Sequence, residues 1–373
     1  MHVSRRQFVV GGSALWLSAC GGGSGGSSAG AGGTTGAGGG LTGSNNGLVA
    51  SSEIKGDKQE ICSINGSGNN SCLAPTALAV APNGDIYVVE KINHAIRKLS
   101  ADGSHSVWAG QLGVSGHTDG SGTVARFLSP TGITLDNAGN AYVCDTDNNT
   151  IRRITPSGEV TTLAGQVGVS GHADLIGTAA TFAAPCGLTC DGSANLYVTE
   201  INNHIVRKID LNTLAVSTLA GVAENRGFAD GAGAAAIFNS PSDITMSQQN
   251  PDFLYVADSQ NQVIRQIKIS TREVTTLAGQ VQEPVYRDGT GSAAGFYNPS
   301  AVVVDDHGHV YVADTDSQTV RLLNVATREV RTVADPSQLA RGVNFTPSGV
   351  ALDKKNHLFV ADSDGFIRQL NLD

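Results

Sequence analysis

Residues 130–165 read PTGITLDNAGNAYVCDTDNNTIRRITPSGEVTTLAG and contain four short segments in which apolar residues alternate with polar ones. Clusters of Asn, Asp, Thr, Pro, Ser and Gly separate the segments, and these residues favour turns. The pattern predicts four antiparallel strands, at 131–135, 140–144, 150–154 and 159–163. Because a single sheet of this kind cannot cover both of its faces, the stretch requires neighbouring copies of itself.

The chain contains six copies of this unit, counting the first. Each copy has an aromatic residue in its second strand: Tyr87, Tyr142, Tyr197, Tyr255, Tyr311 and Phe359. Each begins at a proline: Pro75, Pro130, Pro185, Pro241, Pro299 and Pro347. An acid ends each second strand: Glu90, Asp145, Glu200, Asp258, Asp314 and Asp362. An arginine follows in each third strand: Arg97, Arg152, Arg207, Arg265, Arg321 and Arg368. Such repetition predicts an all-β fold, a six-bladed β-propeller of four-stranded antiparallel blades.

Composition narrows the class of protein. The 373 residues carry a formal net charge of −9, and only 15% of them are charged. The acidic balance and the scattered lysines and arginines argue against a nucleic-acid partner. The length would allow two domains, but the repeat indicates one body. We expect a monomer.

The beginning of the chain has the pattern of an export signal at residues 1–20. Residues 4–8 resemble a twin-arginine motif, although an ordinary secretory signal is the alternative. The apolar segment at 8–19 is too short for a membrane-spanning helix. Residues 17–20 resemble a bacterial lipobox, which implies cleavage before Cys20 and its lipidation. The alternative is a plain signal peptide with an incidental cysteine.

Residues 21–47 are almost entirely Gly, Ser, Ala and Thr, which predicts a flexible tether. The propeller is then expected at 48–373. Its last unit supplies only three strands, whereas residues 48–54 resemble a fourth strand. An N-terminal strand that completes the last blade would close the ring and remove two exposed sheet edges.

Cysteine usage agrees with an exported protein. Cys62 and Cys72 flank a loop rich in Gly, Asn and Ser, and we predict a disulfide between them. Cys186 and Cys190 lie about 13 Å apart along one predicted strand and cannot pair. Two alternatives remain, a Cys144–Cys186 pair or free buried thiols, and we favour free thiols.

Several motifs resemble NHL repeats: NHAIRKL at 93–99, NHIVRKI at 203–209, and YVAD at 255–258 and 311–314. The resemblance covers about 73–370. An Asp-Gly-x-Gly…Phe pattern at 119–127, 230–238 and 288–296 resembles exported bacterial members, whereas the segment beginning Asp174-Leu175-Ile176-Gly177 departs from it. The resemblance implies a six-bladed propeller used above all for binding, although some related propellers are lyases or lactonases. Fold alone therefore does not settle function.

Strand order places three features on one face, which we call the loop face. They are the start of each first strand, the turn between strands two and three, and the long connection to the next blade, a kind of loop that is often functional. We call the opposite face the turn face. We predict that the central channel opens on the loop face and that a partner binds there. The candidate binding residues are Asp243, Arg126, Thr131, Ser242, Ser300, His117 and His172.

The repeated acid–arginine pairs are expected to be structural, because a catalytic group should be unique whereas these occur in every blade. The loop aspartates, Asp119, Asp174, Asp230 and Asp288, are expected to brace turns. Calcium is the alternative, but each loop offers one carboxylate whereas calcium takes six to eight oxygens. The histidines show no ligand spacing, so we expect no metal and no cofactor.

These observations predict a lipid-anchored protein of the bacterial envelope that binds a protein, peptide or glycan through its loop face. The alternative is a periplasmic hydrolase or lyase, lactonase-like or amidating-lyase-like, with its site at the channel mouth. Related enzymes use acids or histidines from several inner strands. Here Asp243 is the only acid or histidine near the start of an inner strand. A structural role as an envelope spacer or adhesin is a third hypothesis.

Overall fold

The computed structural model describes residues 59–60, 75–338, 345–363 and 365–372. They form six antiparallel sheets of four or five strands. The first strand of each sheet packs against the first strands of both neighbouring sheets, and the first and sixth sheets also touch. The predicted six-bladed β-propeller is therefore confirmed. Within the described residues, no helix is long and apolar enough to cross a membrane.

The strands follow the repeat blade by blade. Blade one contains β2 (Pro75–Val80), β3 (Ile86–Glu90), β4 (Ala95–Leu99) and β5 (His105–Gly110). Blade two contains β6 (Gly120–Ser121), β7 (Pro130–Leu135), β8 (Ala141–Asp145), β9 (Thr150–Ile154) and β10 (Glu159–Ala164). Blade three contains β11 (Pro185–Cys190), β12 (Asn195–Glu200), β13 (Ile205–Asp210) and β14 (Val216–Ala220). Blade four contains β15 (Gly231–Ala232), β16 (Pro241–Met246), β17 (Phe253–Asp258), β18 (Val263–Lys268) and β19 (Glu273–Gly279).

Blade five contains β20 (Gly289–Thr290), β21 (Pro299–Val304), β22 (His309–Asp314), β23 (Thr319–Asn324) and β24 (Glu329–Ala334). Blade six contains β25 (Pro347–Leu352), β26 (His357–Asp362) and β27 (Phe366–Asn371). Short 3-10 turns interrupt the connections at Gly122–Val124, Thr146–Asn148, Gly177–Ala179, Gly233–Ala235, Ser259–Asn261, Gly291–Ala293 and Pro336–Gln338. The predicted strands of blade two agree with the observed ones to within one residue.

The ring is closed by the N-terminal part of the chain. Strand β1 (Gln59–Glu60) pairs with β27, opposite Ile367 and Phe366. An N-terminal closing strand is therefore confirmed, but it lies later in the sequence than 48–54. The segment 48–54, the tether, the signal, Cys20 and the predicted Cys62–Cys72 pair all lie outside the described residues.

Packing between blades depends on a phenylalanine from each long connection. Phe127, Phe182, Phe238, Phe296 and Phe345 are among the most completely buried side chains. Phe127, for example, packs with Val89 and Ile96 of blade one and with residues of blade two. Burying one such side chain stabilises the fold by about 1.5–3 kcal/mol. These phenylalanines therefore anchor the connections between neighbouring blades.

The described cysteines differ in state. Cys144 and Cys190 are buried free thiols, as favoured from the sequence. Cys186 is disulfide-bonded, so the free-thiol prediction is wrong for this residue. The alternative Cys144–Cys186 pair is wrong as well, because Cys144 is free. The Cys144 thiol is surrounded by protein, and this burial raises its pKa.

Candidate functional site

A buried arginine fixes each long connection to the blade that it enters. Arg152 donates from Nη1 to Asp145 Oδ2, at 2.7 Å, and to a loop carbonyl. From Nη2 it donates to Asp119 Oδ1, at 2.6 Å, and to the Thr118 carbonyl. The predicted Asp145–Arg152 pair is confirmed. Val143 lies opposite Arg152, and Asp145 lies opposite Thr150. The pair also includes a third group, the loop aspartate.

The same arrangement occurs in the next three blades. Arginine, blade acid and loop aspartate are Arg207, Glu200 and Asp174; Arg265, Asp258 and Asp230; and Arg321, Asp314 and Asp288. The carboxylate of Asp119 also accepts bonds from the backbone N–H and hydroxyl of Thr162. The loop aspartates therefore brace the loops, as predicted, by binding arginine and the outer strand.

Aromatic rings cover the arginines. The Cζ atom of Arg265 lies 5.0 Å from the centroid of Phe238 and 4.8 Å from that of Phe228. Such cation–π contacts stabilise a guanidinium that has left water. Phe228 stands two residues before its loop aspartate. The predicted site residues His117 and His172 occupy the same position, two residues before Asp119 and Asp174.

His117 and His172 are exposed in adjacent connections on the loop side. The Nδ1 atom of His172 lies 3.9 Å from Glu224 Oε1 at the surface. No group of three or more acids, histidines or cysteines among the described residues is arranged to hold a metal ion.

Ionisation supports a structural role for the buried acids. Burial raises the pKa of Asp145 to about 6, and the charge of Arg152 and several hydrogen bonds oppose this rise. Burial likewise raises the pKa of Asp258 to about 6, although the charge of Arg265 opposes this rise. Both carboxylates are therefore mostly ionised at neutral pH, as an ion pair with arginine requires.

The hydroxyl residues at the strand starts join blades to one another. Thr131 Oγ1 donates to the Cys186 carbonyl of the next blade at 3.0 Å, and Ser242 Oγ donates to the Ser300 carbonyl at 2.8 Å. Ser300 contacts the Thr315 hydroxyl, which donates onward to blade six. All three predicted site residues are buried. Their hydroxyls form an inter-blade belt.

Arg126 holds its own loop. Its Nη1 atom donates to the carbonyls of Thr123, Val124 and Ala125, at 2.6–2.8 Å. Its Nη2 atom donates to Gln111 Oε1. The guanidinium of Arg126 is therefore engaged by several internal acceptors.

Asp243 lies inside the central channel, which has a volume of about 1010 Å³. The channel extends from the belt to the turn face, where Pro82, Asn137, Gln248 and Lys354 line it and are exposed. At the belt the inner strands crowd together, because a Cβ added to Gly187 would lie 2.4 Å from Asp243 Cα. The strand-start residues that line the channel at the belt are buried, whereas exposed residues line it at the turn face. Ligand access through the loop face stays a prediction.

Most exposed apolar side chains lie near the loop face, but Leu175 and Ile176 lie beside a turn of the opposite face, where the Val216 N–H donates to the Leu175 carbonyl. Twelve large hydrophobic residues in the described part are exposed, and all lie in the long connections or, for Ile92, in a turn between strands two and three. Five of them form turn tips beside neighbouring blades: Leu112, Val114, Val167, Val169 and Val222. Backbone hydrogen bonds hold these tips to the turns between strands two and three. The N–H groups of Gly113, Gly168 and Glu224 donate to the backbone carbonyls of Asn93, Asn148 and Asn203, respectively. None of these five is among the binding residues predicted from the sequence.

Comparisons with known proteins agree with this architecture. The NHL repeat model matches residues 127–154 and 296–321. Human NHL repeat-containing protein 2 is 24% identical over 289 residues, which cover 69% of this chain and 40% of that protein. This chain spans less than half the length of the curated relatives it matches.

Two solved structures share the fold. An auxiliary nutrient binding protein from Bacteroides thetaiotaomicron is 16% identical with a TM-score of 0.57, covering 80% of this chain and 69% of its own. Virginiamycin B lyase from Staphylococcus aureus is 14% identical with a TM-score of 0.53, covering 82% and 97%. At such identities the likeness concerns the fold alone. With its repeated strand–acid–arginine pattern, this chain is a six-bladed β-propeller that carries NHL repeats.

Proposed function

We propose that this protein is a binding module whose loop face engages an apolar segment of a protein or peptide. The observation that carries the proposal is the presence of exposed aliphatic side chains at the turn tips of the loop face, namely Leu112, Val114, Val167, Val169 and Val222. Exposed apolar patches of this kind mark interaction sites, because their burial in a complex is favourable. Aliphatic tips such as Leu112 and Val167 favour a protein segment over a glycan, which would require more hydrogen-bonding groups.

The arginine arrangement supports this proposal by holding the tips in place. Each long connection is bonded at its aspartate and anchored by its phenylalanine. A surface fixed before binding loses less conformational entropy when it meets a partner. Asp243 is the one acid at the channel floor among the described inner strands, so we propose binding and not hydrolysis or lyase chemistry.

The test uses a photo-crosslinking residue at Leu112 in the intact, exported protein. The crosslinked partner is identified, purified and titrated against wild type and against L112S/V167S. We expect the double variant to weaken binding by about tenfold or more, since each buried aliphatic side chain contributes about 1.5–3 kcal/mol.

Asn137→Ala and His307→Ala on the turn face serve as controls and should change the affinity less than twofold. Equal losses from both faces would contradict the assignment. A glycan or lipid that binds the tips in place of a protein would contradict the choice of partner.

We also propose that the protein is exported and held at the bacterial envelope by a lipid on Cys20. The tether at 21–47 would then carry the propeller away from the membrane. Cys20→Ser should leave the protein uncleaved or released in soluble form. Unchanged partitioning into the detergent phase would contradict lipidation.

A further inference from the structure

The central channel is a second concave site, separate from the loop face. Its volume of about 1010 Å³ suits a small molecule. Partly exposed apolar side chains line it, among them Val80, Leu135, Val303 and Leu352. The inner strands pair on one edge only, and their other edges face the channel. The N–H of Val302 shows this directly, since it donates to Asp243 Oδ2 at 2.9 Å.

Asp243 is the distinctive group at the belt end of the channel. The equivalent positions in the other blades carry no more than a methyl group: Ala77, Gly132, Gly187, Ala301 and Gly349. The Asp243 carboxylate accepts backbone N–H groups from Val302 and Ile244, and none of the described cationic side chains pairs with it. A carboxylate in such a setting is costly unless a cation accompanies it. A ligand could supply that charge.

The channel as a whole is acidic. Its lining includes Asp136, Asp243, Asp305, Asp306 and Asp353, against the single lysine Lys354. Hydrogen bonds from His309 and from backbone N–H groups outweigh burial and lower the pKa of Asp305, so this acid stays charged near the mouth. A cleft lined by one sign of charge concentrates ions of the opposite sign.

We propose that the channel binds a small organic cation, with its ammonium group on Asp243 and its alkyl part against the apolar wall. A divalent metal suits the site less well, because calcium takes six to eight oxygens and the floor offers one carboxylate. An ammonium group needs only one carboxylate and a few carbonyl oxygens. The site is independent of the partner proposed for the loop face.

The test is calorimetric titration of the intact propeller with n-hexylammonium chloride, alongside 1-hexanol and sodium hexanoate as neutral and anionic probes of similar length. We expect saturable binding of hexylammonium only. Asp243→Asn should weaken that binding by about tenfold or more. Asp147→Asn makes the same charge change at an exposed position on the loop face and should leave the binding within twofold.

Three results would overturn the proposal. They are no saturable binding of hexylammonium up to about 10 mM, equal binding by wild type and Asp243→Asn, and hexanol binding as tightly as hexylammonium. Competition by calcium at equal concentration would assign the floor to an inorganic ion and overturn the organic class. L112S/V167S should keep hexylammonium binding, so failure of the loop-face proposal remains distinguishable.

Discussion

At the scale of single residues, Asp243 departs furthest from the repeat. Every other blade has glycine or alanine at this position, because the inner strands approach closely at the axis. Burial raises the pKa of Asp243 to about 7, while N–H groups from Val302 and Ile244 oppose the rise. The side chain touches the channel on one side and protein on the other, so it is half-buried. Its charge therefore changes close to neutral pH.

This pKa predicts how stability depends on pH. The native carboxyl holds its proton more tightly than the unfolded one, whose pKa is near 3.8. Its contribution to stability is therefore fully present below about pH 4 and is lost as pH rises through about 7. Asp243→Asn should match wild type near pH 4 and exceed it at pH 8. The gain should grow by no more than about 1.4 kcal/mol per pH unit in this window. Urea unfolding at both values measures it.

Asp147→Asn is the control for this experiment, because Asp147 is exposed on the loop face. Its difference from wild type should not vary in the same way between pH 4 and pH 8. A difference for Asp243→Asn that is independent of pH would contradict the raised pKa.

At the scale of elements, the long connections and the blades depend on each other. In blades two to five, each arginine joins the acid of its own blade to the aspartate of the entering loop, as Arg152 joins Asp145 to Asp119. Asp145 is fully buried whereas Asp119 is partly exposed. Removing the arginine therefore leaves a buried charge without a partner, while removing Asp119 exposes only one end of the arrangement to water.

We predict different costs for the two changes. Arg152→Met should lower the free energy of unfolding by about 3–5 kcal/mol, because it breaks a buried pair from one side. Asp119→Asn should cost about 1 kcal/mol and speed hydrogen exchange within 111–129. Arg226→Met changes an exposed arginine and should cost less than about 0.5 kcal/mol. Equal costs at Arg152 and Arg226 would refute the structural role of the buried pair.

The sequence predicted those parts of this arrangement that are local. Strand periodicity and a four-residue turn place Asp145 and Arg152 on neighbouring strands, and that register is observed. Asp119 lies 33 residues before Arg152, and no local pattern links them. The available signal was the recurrence of loop aspartate and arginine together in blades two to five. The burial of the residues at the belt end of the channel could not be predicted, because it depends on how Thr131, Ser242 and their neighbours pack.

At the scale of the whole molecule, the two ends of the chain share one sheet. Strand β1 has two residues, Gln59 and Glu60, and they carry no apolar alternation. For that reason the sequence pattern favoured 48–54 as the closing strand. The backbone pairing with Ile367 and Phe366 gives blade six its fourth strand. Without it, the edge of β27 would be unpaired.

Two truncations test the closure. A chain that begins at residue 61 lacks β1 and should melt at a lower temperature across the whole domain, by about 2–4 °C for each kcal/mol lost. A chain that begins at residue 57 keeps β1 and should melt like the full chain. If both melt alike, β1 does not close the ring. If both are destabilised, the closing contacts lie before residue 57.

The position of β1 also has a mechanical consequence. A protein held to a surface by its N-terminus receives any pulling force through residues 59–60, the shortest strand of blade six. The inner strands stay joined by the hydroxyl belt, including the bond from Ser348 to the Pro75 carbonyl, which joins blade six to blade one. Under load, strand β1 should therefore detach from β27 first while the inner ring stays intact. The tether would then lengthen before the loop face is disturbed.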